Sequence, residues 1–312
     1  MMDTPLVSLI VISYNHRDYI DDCMKSILGQ SYENIEILYL DDASVDETFQ
    51  KAGYYRKQLE RKYERVEFIE NSRNDGLVRN LNRLIRMSRG KYVKTIAADD
   101  FILSDGIEQM TEFMERYPEH DMMYANGMSG NETTHYPIDH RKDYGLLYQT
   151  EQISGGDIFD RLYRNYSICA ASIMIRKSVY DKVGLYDEEL GVEDFDLSLR
   201  IARQGSIGYL HEPTVVYRML TTSMSHSTDV RSRKNMKKST LQILEKHKDV
   251  VANADELLCT NLNDALRDAF HIDDKEYIRW LYKYADRNDV KISLRNKVKH
   301  LAYQLGMIEI LK

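Results

Sequence analysis

Two adjacent carboxylates, Asp99 and Asp100, stand out in the stretch KYVKTIAADDFIL at residues 91–103. They follow Tyr92, Val93, Thr95 and Ile96, a β-branched and aromatic run that reads as a buried strand. Open α/β sheets bind ligands at the C-terminal ends of their strands. Two carboxylates placed there can hold a hard divalent cation, Mg²⁺ or Mn²⁺, which also takes oxygens from substrate phosphates. Taken alone, the pair reads better as a strand-to-turn junction, because Asp is a common turn residue. A second acidic pair, Glu193 and Asp194, opens a predicted helix that carries Leu197, Leu199, Ile201 and Ala202 and stops at Gly205. The helix dipole favours acids in a first turn, so this pair also has an ordinary explanation by itself.

Several elements have to position these groups. Residues 6–12, LVSLIVI, form a continuous apolar run, the pattern of a central parallel strand. Asn15 follows as a candidate cap for a helix with Ile20, Met24, Ile27 and Leu28 on one face. A second strand, NIEILYL at 34–40, ends in Asp41-Asp42-Ala43-Ser44, where Ser44 and Glu47 have capping-box spacing. A third strand, VEFIE at 66–70, leads through Asn74-Asp75-Gly76 to a helix with Leu77, Leu81, Leu84 and Ile85 that Gly90 closes. Beyond Asp100 a further helix is expected from 106 to 117, with Asp105 and Glu108 as its capping box. Alternating strands and helices at this spacing predict a parallel, doubly wound α/β sheet. No G-x-G-x-x-G follows the first strand, so the dinucleotide fingerprint is absent.

The rest of the chain divides in two. Strands are expected at 121–125, 171–176, 207–210 and 214–218, with a helix at 157–165 and a polar, turn-rich loop at 126–152. From Asp229 onward the pattern is helical, at 239–250, 253–270, 274–285 and 291–311. In the last helix Leu294, Val298, Leu301, Leu305 and Ile308 make one apolar stripe, and Lys291, Arg295, Lys297 and Lys299 lie on the other faces. We place a boundary near 228, between an α/β domain at 1–228 and a helical region at 229–312 that supplies acceptor, membrane or oligomer contacts.

Composition narrows the class. The 312 residues are 43% hydrophobic, enough for a sizeable core. The longest apolar runs are too short to span a bilayer, and no charged-then-apolar leader opens the sequence. Cys23, Cys169 and Cys259 have neither disulfide nor metal spacing, so the chain reads as cytosolic and reduced, without structural zinc. The net charge of −7 is unevenly spread: residues 231–312 hold 17 Lys and Arg against 12 Asp and Glu, and the remainder is strongly acidic.

Separate stretches of the chain, in order, then match one family. They are VSLIVISYNHRDYIDDCMKSILGQSYENIEILYLDDASVDET, NDGLVRNLNRLIRMSRGKYV, AADD, VEDFDLSLRIARQG and EPTVVYR with the serine-rich stretch after it. Over residues 6–226 the sequence resembles the family 2 glycosyltransferases, inverting nucleotide-diphosphosugar enzymes with a GT-A fold. The resemblance implies a mostly parallel doubly wound sheet with a C-terminal helical appendage. It implies transfer of a sugar, most readily from a UDP-sugar, to a hydroxyl of a glycan or lipid-linked glycan in surface-polysaccharide assembly.

The same resemblance assigns roles. Tyr14 and Asp42 would hold the nucleobase, by stacking and by accepting from a base N–H. The backbone of Ile12 and Ser13 would add contacts, and Asn82 matches the family's polar helix start loosely. Asp99 and Asp100 fall at the D-x-D motif, one ligating Mn²⁺ or Mg²⁺ and the other touching the ribose. Ala97 stands where the longer motif carries its first acid. Asp194 matches the catalytic base, with Glu193 supporting it or binding acceptor. Leu220 stands where relatives often carry a metal-binding His; His226 reads either as a substitute ligand or as an exposed loop residue.

The basic tail carries two readings. The cluster Arg231, Arg233, Lys234, Lys237 and Lys238 and the basic, amphipathic last helix are features that can hold a protein at an anionic membrane surface, and the cluster reads as peripheral contact with the inner face of the cell membrane. The apolar stripe reads as packing on the body or on a second subunit. Nucleic acid is not expected as a partner, because the body is acidic and the cluster lacks interleaved aromatics. The competing readings are an inactive nucleotide-sugar binding module, suggested by Ala97 and Leu220, and a nucleotidyltransferase. The latter would need a Gly-rich loop that SYNHRDYI does not supply.

Overall fold

A computed structural model describes residues 4–138, 145–147, 158–220 and 230–304. The elements run, in order, β1 (Val7–Ser13), α1 (Ile20–Leu28), β2 (Ile35–Asp41), α2 (Thr48–Gly53), α3 (Arg56–Lys62), β3 (Arg65–Glu70), α4 (Leu77–Met87), β4 (Tyr92–Ala97), β5 (Phe101–Ile102), α5 (Gly106–Arg116) and β6 (Met122–Gly130). They continue with α6 (Ile158–Arg164), β7 (Ile173–Arg176), α7 (Val179–Val183), α8 (Glu193–Gln204), β8 (Ile207–Arg218), α9 (Val230–His247), α10 (Ala254–His271), α11 (Lys275–Arg287) and α12 (Leu294–Gln304).

Eight strands form one sheet in the order β3-β2-β1-β4-β7-β6-β8-β5. The β3-β2-β1-β4 half is parallel, as the alternating pattern predicts. Its register sets Ser13 beside Asp41 and Ile12 beside Ala97, so the three motif-bearing strands end at one edge. β7 runs antiparallel between β4 and β6, and β8 runs parallel to β6. The short β5 pairs Phe101 with Val216, which folds the segment after Asp100 against the end of β8.

Period-two alternation supplies both faces. Val7, Leu9 and Val11 pack with Ile20, Met24 and Ile27 of α1 and with Ile107 and Met110 of α5. Ile10 and Ile12 face Leu81, Leu84 and Ile85 of α4. That second cluster runs on without a gap through α8 into Leu241, Leu262, Leu266 and Leu281, so the C-terminal helices share the body's core. Gly90 follows α4, whose last residue is Met87; a Cβ at Gly90 would meet the Ser8 backbone N at 2.6 Å, so the close approach to β1 requires glycine.

Several local expectations are corrected. β6 reaches Gly130, so 126–130 is strand rather than loop. Its Asn126, Gly127 and Gly130 look loop-like in sequence, yet a Cβ at Gly127 would meet Leu147 at 2.7 Å, so the glycine answers to packing. The strands expected at 207–210 and 214–218 are one strand, with register shifts opposite Asn126 where Pro213 lacks an N–H. None of the expected side-chain caps forms. Asn15 sits at φ 58° before Tyr19 caps α1, Ser44 bonds Asp41, and Glu108 accepts from Ser31 instead of closing a box with Asp105. α9 starts at Val230, nine residues before the expected 239.

The basic cluster therefore lies on a helix, and most of it is engaged. Lys234 bonds Asp274 at 2.7 Å, Lys237 bonds Asp268, Arg233 pairs with Asp268 at 3.6 Å, and Lys238 lies 4.9 Å over the Trp280 ring. Lys234, Lys237 and Lys238 thus form a seam between α9 and the two helices that follow it. The apolar stripe of α12 departs from the first of its two expected placements, the body. Leu294, Val298 and Leu301 are 78%, 50% and 58% exposed and do not pack on the body. Leu305 and Ile308 lie outside the described residues, as does the boundary placed near 228.

Candidate active site

The loops after β1 and β2 are tied to each other. Asn15 N–H donates to Ser44 Oγ at 2.8 Å, and Val45 N–H donates to Asn15 Oδ1 at 3.0 Å. His16 N–H reaches Thr48 Oγ1 at 2.9 Å. Asp41 is fully buried and builds the turn, accepting from Ser13 Oγ at 2.6 Å, Ser44 N–H at 2.8 Å and Ser44 Oγ at 2.7 Å. The carbonyls of Ile12 and Ser13 accept from Ala98 and Asp42 N–H groups, both at 2.9 Å, holding the strand exits together. Beside them the Tyr14 ring is 46% exposed, open for stacking rather than packed on the sheet edge.

Asp42 is buried and well supplied with donors. Its Oδ1 accepts from Asn71 Nδ2 at 2.8 Å and Asp75 N–H at 2.8 Å, and Oδ2 accepts from Gly76 N–H at 2.9 Å. Burial alone would raise its proton affinity, but these bonds outweigh burial and hold the carboxyl below its ordinary range. Gly76 has φ 89°, a left-handed conformation that glycine allows at the turn presenting both amides. The same turn starts α4.

Asn82, about 8 Å farther along α4, turns away from the donor side. Its Nδ2 donates to Tyr186 O at 2.9 Å and Glu188 Oε1 at 3.1 Å, and its Oδ1 accepts from Tyr186 N–H at 3.0 Å. Its amide is thus committed to the loop before α8, a positioning task rather than the donor contact expected. Arg79 is an exposed surface residue facing Glu188 at 3.4 Å.

Asp99 and Asp100 are provided for differently. Asp100 is 3% exposed, and its Oδ1 accepts from Arg218 N–H at 2.8 Å. Burial, then the neighbouring Asp99 charge, pushes its proton affinity well above that of an ordinary carboxyl. Asp99 Oδ1 is buried with no hydrogen-bond partner; His16 Nδ1, 3.9 Å away, also lacks one. An orphaned carboxylate oxygen beside a second buried carboxylate suits a divalent cation, so the residues present fit the expected metal. Among the described residues no three His, Cys, Asp or Glu side chains stand together as a complete ligand set. Leu220 is buried, and His226 lies outside the described residues.

Three residues that the sequence did not single out build this centre. The Arg218 guanidinium is fully buried. It reaches Asp22 Oδ2 at 2.5 Å, Thr134 O at 2.7 Å and the Asp99 carbonyl, and lies over the Tyr19 and Phe101 rings. Asp22 also accepts from Tyr136 N–H at 3.2 Å and contacts His135 Nδ1 at 2.9 Å. Lys94 is buried in β4 and bonds the carbonyls of Thr95 and Ala171; burial draws its ammonium down to about 8. A charged residue amid an apolar run was the available signal for Lys94, whereas Asp22, beside Asp21 in a first helical turn, gave none. For Arg218 it was the charge ending a buried strand.

Glu193 and Asp194 occupy the first turn of α8, among Tyr166, Tyr186 and Phe195. The Phe195 N–H donates to Asp194 Oδ1 at 2.9 Å, and the Tyr166 ring lies 4.8 Å from that of Phe195. Burial raises Asp194's proton affinity, and the Tyr166 hydroxyl and Phe195 N–H only partly offset it. Glu193 is pushed up to about 7, by burial first and the Asp194 charge second. A carboxylate with raised affinity at a helix start is equipped to take a proton near neutral pH.

The chain and its fold have counterparts among known proteins. The pattern for glycosyl transferase family 2 matches residues 8–184. An uncharacterized glycosyltransferase of Haemophilus influenzae is 28% identical over 231 residues, covering 70% of this chain and 67% of the relative. The putative teichuronic acid biosynthesis glycosyltransferase TuaG of Bacillus subtilis is 27% identical over 223 residues, covering 71% of this chain and 82% of the relative. Among solved structures, S. aureus TarS 1–349 in complex with UDP-GlcNAc superimposes with TM-score 0.65 at 16% identity, over 97% of this chain and 88% of that one. The mannosyltransferase PcManGT from Pyrobaculum calidifontis, in complex with GDP-Man and Mn²⁺, superimposes with TM-score 0.56 at 14% identity, over 98% and 81%. The chain belongs to glycosyl transferase family 2, a nucleotide-sugar-dependent glycosyltransferase with the GT-A fold.

Proposed function

We propose that this enzyme is an inverting transferase that moves a sugar from a UDP-sugar to a hydroxyl of a glycan or lipid-linked glycan. Tyr14 stacks on the base, and Asp42, held ionised by its own donors, accepts from a base N–H. Asp99 and Asp100 hold Mn²⁺ or Mg²⁺, which when bound stabilises the charge growing on the leaving diphosphate. Asp194 takes the proton of the acceptor hydroxyl as its oxygen attacks the anomeric carbon from the opposite face. Glu193 beside it stays largely protonated below about 7, so Asp194 is the member of the pair free to act as base. Asn82 positions that pair by fixing the 186–188 loop.

The observation that carries the reading is the unpartnered, buried Asp99 oxygen beside Asp100, at the strand edge that also presents Tyr14 and Asp42. Support for the donor class comes from family membership and from a structural neighbour solved with UDP-GlcNAc; another was solved with GDP-Man and Mn²⁺. A relative named for teichuronic acid biosynthesis supports a surface-polysaccharide acceptor. The test is a panel of UDP-, dTDP-, GDP- and CMP-sugars, assayed with Mn²⁺, Mg²⁺ and chelator. We expect one donor to turn over only with metal, and Asp194→Asn to lower kcat by about 10²–10⁴ while donor binding survives. Failure of every nucleotide to bind would instead leave an inactive module.

A further inference from the structure

We propose that the outer face of α12 docks the enzyme on an anionic lipid bilayer. The helix has two unlike sides. Its inner side is fastened to α10 and α11. Asn296 bonds Asn263 at 2.9 Å, the Tyr282 hydroxyl donates to Asn296 O at 3.0 Å, and the His300 and Tyr282 rings stack at 4.0 Å. Its outer side carries Leu294, Val298 and Leu301, one above the next at four- and three-residue spacing, each half exposed or more. Arg295 and Lys297 flank the side opposite Asn296, turned about 100° from it to either hand.

The charge around the stripe selects the occupant. Residues 290–304 hold four Lys and Arg and no Asp or Glu, in a chain of net charge −7. None of Lys291, Arg295, Lys297 and Lys299 pairs with an acid among the described residues, and Arg295 and Lys297 are exposed. Three of the six Lys and Arg of α9 are, by contrast, paired with Asp268 or Asp274. An apolar stripe between unpaired cations matches a surface of acyl chains under anionic headgroups. A second copy fits poorly. A two-fold axis would set these cations against themselves, and three side chains fall far short of the roughly 20–30 residues a stable interface takes from each partner. Among the described residues no helix is long and apolar enough to cross a membrane, so the contact lies along the surface. The inference stands whatever the acceptor is.

The test floats the full-length protein with phosphatidylcholine vesicles, with and without phosphatidylglycerol. Flotation is expected only with the anionic lipid, falling as salt rises. Leu294→Ser/Val298→Ser/Leu301→Ser should abolish it, and Arg295→Gln/Lys297→Gln should weaken partitioning about thirtyfold. Circular dichroism of each variant should match the wild type, because the replaced side chains face solvent. Absence of flotation, equal flotation on phosphatidylcholine alone, or unchanged flotation of the triple variant would overturn the proposal. So would a dimer seen by light scattering that the triple variant dissolves without any lipid effect.

Discussion

Strands β2 and β4 lead into the same dipeptide, Asp41-Asp42 and Asp99-Asp100, and the fold uses the two pairs in opposite ways. At the end of β2 the oxygens meet donors from Ser13, Ser44, Asn71 and the amides of 75 and 76. At the end of β4, Asp100 receives the Arg218 amide and one Asp99 oxygen receives nothing. The first pair is held by neutral donors, three on Asp41 and three on Asp42, whereas the second keeps a buried carboxylate oxygen without a donor. Chemistry here follows the number of donors supplied, which dipeptide composition cannot report.

The largest effect tests what sets the second pair. Arg218→Met should destabilise the protein by about 3–5 kcal/mol in denaturant unfolding, because it leaves Asp22 buried without its cation. A stability close to wild type would show that Arg218 is not the tie. Matched replacements then separate the pairs. Asp42→Asn should cost about 1–3 kcal/mol, since an amide NH₂ would face N–H donors. Asp100→Asn should leave unfolding stability equal to or above wild type without metal, yet lower metal-dependent turnover by about two orders of magnitude or more. If both variants lost stability alike, the contrast would fail.

The smallest effect concerns Glu193, whose proton affinity is raised from 4.5 to about 7. The folded chain then binds the proton more tightly than the unfolded one, so this contribution is complete below about pH 4.5 and is lost as pH rises through 7. Over that window the wild-type Tm should fall by a few degrees relative to Glu193→Gln, read by a thermal shift series. Parallel curves would place Glu193 in a more solvated site.

The parallel half was legible because its strands are short runs dominated by β-branched, aliphatic and aromatic residues, despite Glu36, Glu67 and Lys94 within them, and the acidic pairs at 41–42 and 99–100 were legible because they follow such runs. The second half was not. Asn126, Gly127 and Gly130 carry loop composition but sit in β6, where a Cβ at Gly127 or Gly130 would press on the Leu147 or Val216 side chain. The bulge at Pro213 split one strand into two apparent ones. The stripe on α12 has core periodicity yet faces outward, and periodicity cannot say which face a neighbour covers. Arg218 and Asp22 lie 196 residues apart, a separation at which no local pattern links them.

That distance orders the birth of the enzyme. A ribosome delivers Asp22, Asp99 and Asp100 well before it delivers Arg218, and long-range closure of this kind is slow. Until β8 is made and settles beside β6 and β5, the nascent chain carries the acidic pair without the guanidinium that ties α1 to it. The parallel half can therefore gather its core during synthesis while the cluster around Asp22, Asp99 and Asp100 waits for Arg218, and that cluster closes as one late step.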